Sequence, residues 1–260
     1  MPNVCPEYRS KALELPRSPT IYDHLVLSFR EQDLIATFNW DPLLLQAYRR
    51  NAHLGLKLPR LAFLHGCVAT GYYLKDRVVG YAESSCRHCG EEFKRAPLLY
   101  PIKKKNYAAN EFIASEWQAL KFHIEHAFMI TIFGYSGPKS DEEAIAAMKE
   151  AWESRERSLE QTAFITLQSD SEITANWKPF IYSHHYEVHS SFCDSWIATH
   201  PRRTGEAIWR LNSWMETRSP AMPISTTSGL GTNDLENQKT SIKNENNAGW
   251  IIRDRESGTA

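Results

Sequence analysis

No glycine precedes Gly55, so the opening of the chain lacks the glycine-rich turn that cradles a phosphate on a helix amino end. Nor is there an unbroken apolar run of ~18 residues, which argues against a membrane-spanning helix. The amino-terminal decapeptide MPNVCPEYRS has no apolar core and does not read as a secretory signal. Five cysteines, an odd number with no disulfide framework, fit a reducing, cytoplasmic setting. A net charge of −1 provides no bulk field for nucleic acid or an anionic membrane, so neither is expected as a direct partner. No internal repeat is visible. What remains is a globular composition, 42% hydrophobic and 23% charged, long enough at 260 residues for one large α/β domain or two small ones. Eight Trp imply a substantial core and an exposed binding or oligomer surface.

The stretch from Asp33 to Tyr48, DLIATFNWDPLLLQAY, organises the rest. Leu34 to Phe38 reads as a strand covered on both faces, where alternation is lost. A helix over 43–48 follows, with Pro42 in its first turn and Asp41 as its N-cap. Asn39 and Asp41 therefore stand at the carboxyl end of a buried strand, where open α/β sheets bind ligands. Capping alone explains Asp41; Asn39 has no capping duty. Tyr22 to Phe29 suits a helix or a strand. A second apolar strand, 61–64, ends in His65-Gly66. Residues 70–83 alternate like a hairpin around Lys75-Asp76, and Cys86 to Gly90 forms a knuckle. Residues 110–127 have helical spacing, and 128–133 is a third strand ending in Gly134-Tyr135-Ser136. Ser140 and Asp141 cap a helix that runs to about residue 157, and 163–167 is a fourth strand.

Strands alternating with helices predict an α/β fold with a doubly wound parallel sheet, a small inserted knuckle and a helical C-terminal extension. The expected divisions are an irregular segment 1–30, a core domain 31–170, a His/Trp-rich extension 171–218 packed on it, and a disordered tail 219–260. If the first three strands are parallel neighbours, Asn39 and Asp41, His65-Gly66, and Gly134-Tyr135-Ser136 meet at one rim. Asn and Asp suit ribose hydroxyls, His exchanges a proton near neutral pH, and Gly134 admits close backbone approach. Taken singly, His65 is as readily a core histidine, and 134–136 a plain turn.

The order of these motifs resembles the sirtuin-like (silent-information-regulator-type) domain. It has N-x-D after a strand, L-H-G after a strand, C-x-x-C, a Pro-containing segment with Lys103 to Lys105, a Trp-bearing helix, and I-x-x-x-G-Y-S with an Asp shortly after. The likeness spans residues about 30–170 and is greatest to the divergent branch found in bacterial anti-phage defence proteins. It implies a Rossmann-type NAD site at which the nicotinamide–ribose bond is cleaved. By matching motifs, Asn39 and Asp41 would face nicotinamide and its ribose, beside Phe38. His65, next to Gly66, would be the base on a ribose hydroxyl or water. Gly134, Tyr135 and Ser136 would hold the adenosine side, and Asp141 matches the acidic residue after that turn. The family's G-A-G-x-S turn has no counterpart in residues 1–32, and Gln168 stands where an Asn is expected. Either the chain is a shortened version, or a partner supplies the missing part, or the pocket no longer takes a full dinucleotide. Lysine deacylation is disfavoured because paired zinc knuckles are incomplete.

The expected function is thus an NAD glycohydrolase that yields nicotinamide and ADP-ribose. The alternative is an inactive nucleotide-binding or scaffold module acting through a protein partner or as a homo-oligomer. Cys86 and Cys89 supply either half of a structural zinc knuckle or two thiols in a hairpin turn. His184, His185 and His189 give a third reading, a metal hydrolase, because His185 and His189 have the spacing of ligands on one helix face; a His-rich packing segment is the plainer account.

Overall fold

The computed structural model describes residues 19–202, apart from 74, 76–77, 87, 100–106, 108–109, 139–140, 154–160 and 182–185. Lys103 to Lys105, Ser140, His184, His185 and everything beyond Arg202, including the expected tail, lie outside the described residues.

The chain is α/β with parallel sheets. Helix α1 (Ile21–Leu27) resolves the ambiguous 22–29 stretch. Its Asp23 carboxylate accepts from the Thr20 amide, from Asn51 and from Arg50, which locks α1 onto the next helix. Strand β1 (Leu34–Thr37) leads to α2 (Leu43–Asn51) and then to β2 (Arg60–Phe63), which pairs with β1 in parallel, Leu34 opposite Arg60. Pro42, not Asp41, is the capping residue of α2, but an Asp41 carboxylate oxygen still accepts the Leu43 amide at 3.0 Å.

An antiparallel insertion follows: β3 (Thr70–Tyr73), β4 (Val78–Tyr81) and β5 (Lys94–Arg95), in spatial order β4-β3-β5. Then come α3 (Glu111–His126), capped by Asn110, and β6 (Met129–Phe133). Next are α4 (Glu142–Glu153), β7 (Gln161–Ile165) and α5 (Asp170–Trp177). Strand β8 (Tyr186–His189) and the short α6 (Trp196–Thr199) complete the described fold. Strands β6, β7 and β8 form a second parallel sheet in that order. The extension is therefore not wholly helical, since β8 joins the sheet. Because His189 sits on that strand, the helix-face pairing of His185 with His189 is overturned. The fourth strand also ends two residues early, leaving Leu167 89% exposed.

Helices cover both faces of the parallel strands. Phe112, Trp117 and Leu120 of α3, Met148 of α4 and Trp177 of α5 build one core with Phe164 of β7. Leu25 of α1, Leu44 of α2 and Ile197 of α6 build the other with Ile35 of β1 and Ile165 of β7. Neighbouring strand residues thus serve opposite cores, as the period of two requires. No described helix is long and apolar enough to cross a membrane.

Candidate functional site

Three strand ends do come together, and Phe38 joins them. Its ring stacks on Tyr135 after β6, centroids 4.3 Å apart, and meets the His65 ring after β2 edge-on at 4.9 Å. Tyr107 lies parallel to His65 at 6.1 Å and tilts against Trp117 at 4.4 Å. The rim is therefore aromatic, with Phe38 between the other two residues.

His65 is only 7% exposed. Its carbonyl accepts the Leu99 amide, and the Trp117 indole donates to the neighbouring Leu64 carbonyl, so the backbone that carries the ring is held on both sides. Gly66 is required by close packing: a Cβ there would lie 1.9 Å from the Pro97 carbonyl oxygen. Its role is to let the 97–99 segment cross behind His65.

Asn39 faces the other way from Phe38. Phe38 packs on the core built by α3 and α5, whereas Asn39 and Asp41 lie near Tyr22 of α1, which belongs to the opposite core. Burial raises the Tyr22 pKa, the Asp41 charge raises it further, and the nearby Asn39 side chain pulls it back. Asn39 itself is exposed, and its amide donates to the Thr37 hydroxyl at 3.1 Å. Asn39 and Asp41 thus form one polar station by Tyr22, while His65 belongs to the aromatic one.

On the third strand end, the Tyr135 hydroxyl donates to Asp141 at 2.9 Å. Burial, then the Asp141 hydrogen bond and charge, push the Tyr135 pKa upward, so this phenol stays protonated as a fixed donor near neutral pH. Asp141 is 6% exposed and is held by Tyr135 instead of projecting into solvent. Gly134 has φ +63 with open space where a Cβ would stand, and Ser136 is exposed with its carbonyl accepting from Asn176. Beneath the rim, between β1 and β6, lies an apolar cavity of about 510 Å³ that Phe38 and Tyr135 help to line.

The knuckle is a tight turn: the Gly90 amide donates to the Cys86 carbonyl and the Cys86 amide to the Glu91 carbonyl, both at 2.8 Å. Cys86 is buried and Cys89 exposed. Among the described residues, no group of three or more His, Cys, Asp or Glu could hold a metal ion. His189 contacts Glu187 at 3.2 Å on the surface of β8.

Sequence reasoning missed Tyr22 and Tyr107 as members of the site. Tyr22 carried a signal, as the first large polar-tipped residue of an apolar run. Tyr107 follows a lysine run and gave none.

No protein-family model matches the sequence, and no curated protein matches it. The chain is similar to solved structures of Sir2 proteins. One is a Sir2 homolog–NAD complex, at 15% identity and TM-score 0.35, covering 70% of this chain and 63% of that one. Another is a mutant Sir2 homologue with ADP ribose, at 12% identity and TM-score 0.38, covering 81% and 76%. A third, from work on the mechanism and regulation of Sir2 enzymes, has 12% identity and TM-score 0.37, covering 90% and 71%. The chain thus spans less than two thirds of the length of the NAD-bound homolog.

Proposed function

We propose that the rim at the carboxyl ends of β1, β2 and β6 binds NAD or a related nucleotide, and that the protein hydrolyses the nicotinamide–ribose bond. Water and NAD would give nicotinamide, ADP-ribose and a proton. The observation that supports this reading is the Phe38 ring, which touches both His65 and Tyr135 and so brings the ends of three strands side by side; the ligand would reach from this aromatic group to the polar one by Tyr22. In this reading Asn39 orients ribose hydroxyls, and the Asp41 charge stabilises the oxocarbenium-like state. His65 takes the proton from a ribose hydroxyl or from the attacking water. Phe38 offers a face for a ring, and the Gly134 to Ser136 backbone, braced by Tyr135 on Asp141, receives the adenosine side. A role in bacterial anti-phage defence belongs to the same proposal.

A second reading rests on one observation, the enclosure of His65 at 7% exposure behind the Phe38 ring. It is a catalytically inactive nucleotide-binding or scaffold module that works through a protein partner. The test is incubation with NAD while nicotinamide is followed, for the natural protein and for Asn39→Ala and His65→Ala. The first reading expects release that falls at least 100-fold in both variants while their thermal midpoints stay near the parent's. NAD protection against heat without release supports the second. Neither release nor protection sinks both.

A further inference from the structure

The cavity between β1 and β6 lies within the sheet layer. Phe29 and Ile197 close it on the α1 and α6 face, and Leu120 and Met148 close it on the α3 and α4 face. Its two remaining walls are strands β1 and β6. These run the same way: their carboxyl ends meet at the Phe38–Tyr135 stack, while Asp33 and Phe128, just before them, border the same cavity.

Backbone alternation fixes what the strand walls present. The Asp33 and Thr37 carbonyls accept the Arg60 and Leu64 amides, so the odd-numbered peptide groups of β1 face β2. Those of Leu34 and Ala36 therefore face the cavity. Likewise the Phe128 carbonyl accepts the Gln161 amide, and the Gly134 amide donates to Ile165, so Met129, Thr131 and Phe133 present theirs to the cavity. Among the described residues, β1 pairs only with β2 and β6 only with β7. Two parallel ladders of donors and acceptors thus confront each other across an apolar channel. The exposure agrees: no residue of β6 is fully buried, whereas four of the five in β7 are.

We propose that this channel receives one extended β-strand, hydrogen-bonded to β1 and β6 at once, which joins the two parallel sheets into one. A small apolar ligand would leave both ladders unsatisfied; a strand satisfies them, with neighbours about 4.8 Å away on each side. A strand covered on both faces must be continuously apolar and free of proline. Outside the described residues the longest such run in the chain is Ala248 to Ile252, AGWII. Residues 1–18 carry Pro2, Pro6 and Pro16, and the 220–224 run carries Pro220 and Pro223. Among the segments of this chain outside the described residues, Ala248 to Ile252 is therefore the occupant that the channel suits. The 45 residues between Arg202 and Ala248 reach, extended, well over ~100 Å, ample for the return.

The test is amide hydrogen exchange read residue by residue by NMR. It compares the full chain, a chain ending at Asn247, and that shorter chain with a synthetic peptide of residues 246–255. The Ile35 and Thr37 amides, bonded to β2, are internal references. The proposal expects the Leu34, Ala36 and Thr131 amides to exchange within tenfold of Ile35 in the full chain. In the shortened chain they exchange at least 100-fold faster while Ile35 and Thr37 stay slow, and the peptide restores them. Should truncation also expose Ile35, the full chain carrying Ile251→Asp is read at the same amides, with the same loss expected. Fast exchange at Leu34, Ala36 and Thr131 in the full chain overturns the proposal. So does protection that survives both changes, which would assign the channel to a second copy or to another polypeptide.

Discussion

Strands β6 and β7 are hydrogen-bonded neighbours of equal length with similar residues, MITIF and QTAFI, yet they are buried very differently. β7 has β6 on one side and β8 on the other, and Ala163, Phe164 and Ile165 are at most 2% exposed. β6 has β7 on one side and the channel on the other, and Phe133 is 39% exposed. Composition made both strands; lateral neighbours decided which became core. The sharpest test is a pair of truncations. Phe164→Ala should cost about 3–5 kcal/mol in urea unfolding, the range for a fully enclosed aromatic. Ile132→Ala, on the half-exposed strand, should cost about 1–2 kcal/mol, because part of its surface already lacks packing partners. Equal costs would mean that β6 is as enclosed as β7.

The two outer edges of the β1–β2 pair repeat the contrast. The β1 edge opens on the channel, whereas the β2 edge is closed by a side chain: buried Glu116 of α3 accepts the Phe63 amide at 2.7 Å. A carboxylate that caps a strand edge gives the ladder an acceptor without another strand. Glu116→Leu should therefore cost about 1–3 kcal/mol, since it strands a buried amide, while Glu116→Gln keeps an acceptor and costs less. The pH dependence separates the charge from the bond. Burial raises the Glu116 pKa, and the Phe63 amide and Arg60 only partly offset it. The folded state therefore holds this proton to higher pH than the unfolded chain does. Glu116's contribution is fully present below the ordinary glutamate range and declines as pH rises through that range to the folded value. Urea midpoints across that window should fall more steeply with pH for the parent than for Glu116→Gln; parallel lines would show that the charge is not desolvated.

Much of this was legible in the sequence where burial leaves a continuous apolar run. The strands at Leu34, Leu61, Met129 and Ala163, the hairpin, and the helix over 111–126 were each readable from pattern and punctuation. β8 was not, because YEVH is short and half polar, and its His189 stands four residues after His185, a spacing that mimics a helix face. The channel could not be read at all, since strand adjacency is non-local and only the backbone alternation shows that the peptide groups of Leu34 and Thr131 both turn toward the cavity. For the site, the strand ends were legible as positions. Their sides were not: a one-residue step sends Phe38 to His65 and Asn39 to Tyr22.

The smallest expected effect compares the two glycines of the rim and isolates the site from the fold. At Gly66 a methyl group would collide with the Pro97 carbonyl, so any loss of function there would be confounded with misfolding. At Gly134 the same methyl meets nothing within 4 Å, and only the left-handed backbone, φ +63, resists it. Gly134→Ala should therefore cost about 1–2 kcal/mol, the strain of a left-handed non-glycine residue. A nucleotide lying against this backbone adds a second penalty that stability does not register. The measurement is the NAD-induced rise in thermal midpoint, compared with the midpoint without nucleotide. If Gly134→Ala lowers both by the same amount, nothing approaches that glycine closely; if the NAD-induced rise disappears while most of the fold's stability remains, the open face of Gly134 is where the ligand rests.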